Sequence, residues 1–137
     1  RTSEPWVSLS ERTQKEKPLS ASNSESREPQ SPEVEMHDIA DLPAVEVIGR
    51  YAVDLLTVAA VQCGLAEDGR KGDLDEARKL INATAGFITA AAADLGDHHA
   101  RPLRDALRQV QLAFREASII KDAPGAGPGE KFTGPVN

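Results

Sequence analysis

Residues 73–118 read DLDEARKLINATAGFITAAAADLGDHHARPLRDALRQVQLAFREAS, and this stretch decides the fold. Asp73 stands just ahead of a periodic apolar pattern with Glu76 three residues on, the arrangement of a capping box with Asp in place of Ser. Ala77, Leu80, Ile81, Thr84, Phe87, Ile88, Ala91 and Leu95 then recur at threes and fours. That spacing gathers them on one helix face and turns Asp75, Arg78, Lys79 and Asn82 outward. Gly96 closes the pattern, which predicts a helix over about 74–95. Gly86 sits inside it at a cost of about 1 kcal/mol relative to Ala, which implies close approach of a backbone or a bulky side chain. A third helix follows over about 102–118, with Pro102 in its first position and Leu103, Ala106, Leu107, Val110, Phe114 and Ala117 as its apolar seam.

Working outward from this block, residues 42–63 predict the first helix, starting near Asp41 or Leu42 with Pro43 in the first turn. Gly64 followed by Leu65 fits a Schellman ending, with Leu65 packing back toward Ala59 and Ala60. Glu46, Arg50 and Asp54 lie four apart as one narrow polar stripe, while Val45, Ile48, Tyr51, Ala52, Leu55, Leu56, Val58 and Ala59 cover most other directions. A helix so patterned asks for burial on two sides. The expected fold is all-α, a small three-helix bundle with antiparallel neighbours over residues 41–120. About 75 ordered residues make a thin core, and chains at this limit often add oligomerisation, so a homo-oligomer through the first helix is expected.

The flanks read differently. Residues 1–40 are rich in Ser, Pro and Glu and too poor in apolar side chains to offset ordering entropy. They read as a disordered acidic segment with one short apolar cluster at Pro5, Trp6, Val7 and Leu9. Residues 121–137 carry Pro124, Gly125, Gly127, Pro128, Gly129, Gly134 and Pro135, a composition against a regular helix and for an extended, flexible tail. Within it Lys131 and Phe132 form a candidate docking motif, Phe132 being the anchor.

The formal net charge is −6, carried mostly by residues 1–44, so the chain as a whole is no polyanion binder. The longest apolar stretch, residues 44–65, is interrupted by Glu46, Arg50 and Asp54, which leaves Leu55 to Val61 as its only long uncharged apolar core, too short to span a bilayer. A lone cysteine, Cys63, and no apolar leader-like stretch near the start point to a cytoplasmic address. Arg101, Arg104, Arg108 and Arg115 gather on or beside one outward face at helical spacing. They are the candidate contact for an acidic protein surface or, with weaker support, for nucleic acid, since Asp105 and Glu116 dilute them and no aromatic residues interleave.

Candidate chemistry is sparse. His98 and His99 follow Asp94 and Asp97, but zinc asks for three or four well-fixed ligands and the spacing reads as a solvated interhelical turn. Cys63 reads as a small buried hydrophobe, and His37 stands alone. Glu67, Asp68, Asp73, Asp75 and Glu76 lie where carboxylates favour helix N–H dipoles. No P-loop occurs. No catalytic, cofactor-binding or metal-binding residue is therefore assigned, and no enzymatic activity is expected.

The segments CGLAED at 63–68, DLDEARKLI at 73–81, HARPLRDALRQVQLAFREAS at 99–118 and DAPGAGPGEKFTGPVN at 122–137 carry a resemblance. Over roughly residues 44–137 the chain resembles the actinobacterial branch of the domain-of-unknown-function family 1844. The resemblance implies a small, helical, bacterial protein and brings no functional residue with it. Genes of that family often lie near those for translation initiation factor three and large-subunit ribosomal proteins, so the resemblance adds a translation-linked role to the expectations. Together these readings favour a non-enzymatic adaptor that uses the arginine face and the tail. The alternative is a self-associating structural or small-molecule-binding bundle.

Overall fold

Pro43 takes the extended backbone of a residue ahead of a helix, with φ −60° and ψ 145°, and its carbonyl accepts from the N–H groups of Glu46 and Val47. Helix α1 runs from there over Ala44–Gln62. Its start falls two residues later than expected because Pro43 occupies the cap and not the first turn. The computed structural model describes Met36 and residues 38–137. Met36 and residues 38–40 are helical, where no order was expected. The expectations for residues 1–35, the cluster at Pro5, Trp6, Val7 and Leu9 included, and for His37 lie outside the described residues. Residues 42–137 form one unit.

The end of α1 is the expected Schellman motif: the Leu65 N–H donates to the Ala60 carbonyl at 3.1 Å and the Gly64 N–H to the Val61 carbonyl at 2.9 Å. Helix α2 spans Leu74–Leu95. The Asp73 carboxylate caps it, accepting from the N–H groups of Asp75 and Glu76 at 3.0 and 3.3 Å. The reciprocal half of the capping box is absent. Glu76 instead holds the Lys79 ammonium at 3.0 Å, and the Asp73 N–H goes to the Gln62 side-chain oxygen at 2.9 Å, tying the start of α2 to the end of α1.

Helix α3 spans Asp97–Ala117, beginning five residues before the expected start. Gly96, at φ +83°, breaks the α2 direction in a conformation that favours glycine, and its carbonyl accepts from the N–H groups of His99 and Ala100. One residue thus ends α2 and begins α3. Pro102 consequently lies inside α3 and not at its first position, where its ring removes one N–H donor without ending the helix.

Ile88 and Leu107 line one pocket, and Ala85 and Gln111 both lie against Gly129, so moving back along α2 corresponds to moving forward along α3 and the two helices run antiparallel. The core is drawn from all three helices, with Ala52, Leu56, Ala59 and Cys63 of α1 packing with Ala77, Ile81, Ala85 and Ile88 of α2 and Leu103, Leu107, Val110 and Phe114 of α3. No strand occurs among the described residues.

The tail departs most from expectation. It contains a single helical turn, α4, over Glu130–Thr133, and it packs on α2. Gly129, at φ +78°, brings its backbone so close that a Cβ there would lie 3.0 Å from both Ala85 Cβ and Gln111 Nε2. The glycines that argued against a helix are used here for a left-handed turn and a close approach. Val136, beyond α4, is buried.

Candidate functional site

Two surfaces compete for a functional role, the arginine face with the tail and the outer face of α1. On the first, the side chains named from sequence are drawn into contacts within the molecule. Arg101 pairs with Asp97 one turn earlier at 2.7 Å, and Arg104 lies 3.9 Å from the same carboxylate. Arg108 donates to the Asn137 backbone oxygen at 3.2 Å and Arg115 to the Asp122 carbonyl at 3.3 Å. The Phe132 ring tip lies 3.2 Å from where a Gly86 Cβ would stand, so the bulky neighbour implied by that glycine is the tail's own aromatic residue. The Lys131 ammonium sits 5.2 Å from the Phe132 ring centroid, within cation–π range.

The residues that hold the tail were not singled out from sequence. Glu130 is buried and accepts three backbone N–H bonds, from Gly125 at 2.8 Å, Gly127 at 3.1 Å and Val136 at 3.2 Å. Gln111 is buried inside α3, its amide donating to the Pro128 carbonyl at 3.0 Å and to the Thr133 hydroxyl at 3.1 Å. Asn82, read as outward, accepts the Gly129 N–H at 2.7 Å. Arg78, also read as outward, pairs with Asp122 at 3.2 Å and lies 5.0 Å over the Phe114 ring. A glutamine at a seam position with Leu107, Val110 and Phe114 around it was the one signal that a polar partner would reach the core face.

The outer face of α1 is different. One side of the helix meets α2 and α3, whereas Tyr51, Val53 and Val58 remain exposed and Val47 and Val61 half-buried. Burial on two sides, as the pattern asked, is met on one. Leu65, 58% exposed, lies beyond the end of α1 at an open groove of about 870 Å³ between α1 and α3, lined also by Ala60, Ala106, Val110, Leu112 and Ala113. Lys121, Arg115 and Glu116 form its charged rim. Just before Lys121, Ile119 and Ile120 are 96% and 85% exposed, a pair of large apolar side chains with almost no intramolecular cover.

The titratable side chains offer little reactive chemistry. Cys63 is a free thiol buried at the end of α1, its sulfur 4.0 Å from the Val110 carbonyl, and burial pushes its thiol up from the ordinary range. A raised pKa leaves little thiolate, so the group is a poor nucleophile at neutral pH. His98 and His99 lie exposed in the first turn of α3, not in a connecting turn, with rings edge to face at 5.1 Å. Gly96 separates them from Asp94 on α2. Among the described residues no three His, Cys, Asp or Glu side chains converge as a metal-ligand set, and no helix is long and apolar enough to cross a membrane.

The family described as a domain of unknown function, DUF1844, matches residues 45–116, from the first turn of α1 to the last turn of α3. Comparison with curated proteins and with solved structures found no match.

Proposed function

Because the chain belongs to the DUF1844 family, and the matched span is the three-helix bundle itself, we propose that it is a non-enzymatic interaction protein, an adaptor holding a protein partner on the outer face of α1 and the groove beside it. The observation that carries this reading is the set of exposed apolar side chains Tyr51, Val53 and Val58 along α1 and Leu65 just beyond it, on a helix whose other side is packed. Exposed apolar side chains gathered on one helix face mark an interaction site. The arginine face is the lesser candidate, since Arg108 and Arg115 each spend a donor on the tail. Translation is the setting the resemblance suggests, and the capture experiment reads it directly.

Affinity capture of the tagged chain from its native cell extract, at low and high salt, tests the reading. A partner held by the α1 face persists at high salt, is lost with Val58→Asp combined with Leu65→Asp, and is kept with Arg101→Glu combined with Arg104→Glu, because ionic contacts are screened and apolar ones are not. Equal capture by the wild type and the Val58/Leu65 variant overturns it. A second reading, a bundle that binds a small apolar molecule, draws on the groove's volume and lining. Mass spectrometry of the captured protein under native conditions would show that molecule as added mass.

A further inference from the structure

We infer that the outer face of α1 pairs antiparallel with the same face of a second copy of this chain, across a two-fold axis passing near Ala52 and Val53. This rests on the proposal that the α1 face is an interaction surface and names one occupant for it.

The inference starts from the helical register. At 100° per residue, Arg50 and Asp54 lie on the side of α1 opposite the fully buried Ala52 and Ala59, at the centre of the open face. Among the described residues neither they nor Glu46 make an ion pair. Tyr51, Val58 and Val47 flank the two charges on one side, half a turn or less away.

An isologous contact must be self-complementary. Parallel pairing of two α1 helices sets Arg50 against Arg50, Asp54 against Asp54 and Glu46 against Glu46, three like-charge contacts. Antiparallel pairing about the stated axis sets Arg50 beside Asp54 of the second copy, and the symmetry repeats that pair. Because such a two-fold preserves the lateral sides of the two helices, the same operation lays Val47 along Val58 of the second copy. It also brings the two Tyr51 side chains together near the axis. The charge order and the apolar order thus select one arrangement. A 19-residue helix is about 28 Å long, so this contact falls in the small class of interfaces, where weak, concentration-dependent association is the rule.

Sedimentation equilibrium of the full chain from ten to several hundred micromolar tests the inference, with Arg50→Asp, Asp54→Arg and the double variant alongside. All the substituted side chains are exposed, so circular dichroism should confirm unchanged helicity. The expected result is a reversible dimer, weakened about tenfold or more by each single reversal and restored to within about threefold by the double, since the double recreates both ion pairs with exchanged signs. A monomer at the highest concentration overturns the inference, as does a dimer that both single reversals leave intact or that the double fails to restore. Capture of a different protein lost with the Val58/Leu65 variant, together with a monomer in sedimentation, overturns the pairing and leaves the adaptor reading standing. Loss of both removes both.

Discussion

Glu130 takes a carboxylate into a buried site where its partners are three backbone N–H groups of the segment that surrounds it. Hydrogen bonds to a charged acceptor are worth about 1.5–3 kcal/mol each, so this side chain organises the tail around itself. Glu130→Ala should therefore raise amide hydrogen exchange at Gly125, Gly127 and Val136 by about tenfold or more, with the helicity of α1 to α3 unchanged. Exchange rates equal to the wild type would show that the tail is held without the carboxylate. Residues of this kind were the hardest to read from sequence. A glutamate between Gly129 and Lys131 looks like any solvated acid, and Asn82 sits on the outward face of an amphipathic helix. Their roles depend on a partner 47 residues away in the case of Asn82 and Gly129, a separation that no local pattern encodes. Gly86 was legible because it broke a pattern, and a broken pattern points to something outside it.

At the level of elements, periodicity and caps located α2 within a residue and the end of α1 through its Schellman pair. The start of α3 was misplaced because Pro102 is a strong first-turn signal, and the true start is set by Gly96 serving two helices at once. The contact between α2 and the tail gives a test of how elements trade local preference for packing. Gly to Ala in a solvated helix gains up to about 1 kcal/mol. At Gly86 the new methyl would meet the Phe132 ring at 3.2 Å, so the gain is partly spent in displacing that ring. Gly86→Ala should stabilise the Phe132→Ala background by about 1 kcal/mol and the wild type by clearly less, read from urea midpoints in a double-mutant cycle. Equal gains in both backgrounds would mean that the ring does not rest on the helix.

For the molecule as a whole, the question is whether the tail belongs to the same cooperative unit as the bundle. The sequence reading separated them at residue 120 on composition alone, because Pro and Gly are read as local punctuation. Here they serve a tertiary purpose, letting the backbone at Pro128 and Gly129 lie against Ala85, Ile81 and Gln111. Arg78 and Arg115 fasten the entry to the tail through Asp122, and Arg108 its far end through Asn137. These anchors sit on two different helices, so releasing the tail uncouples contacts that otherwise bind α2 and α3 to a common third element. The slope of stability against denaturant scales with the surface exposed on unfolding. If the tail unfolds with the bundle, a chain ending at Lys121 loses roughly a sixth of the residues in the folded unit, and its slope should fall by about that fraction. Its midpoint should fall as well, because Ile81 and Ala85 lose their cover. If the tail detaches on its own before the bundle melts, the truncated chain keeps both the wild-type slope and the wild-type midpoint. A three-helix core built so largely from alanine on the α1 side has little apolar surface to spare, which makes the tail's share large enough for the two outcomes to separate.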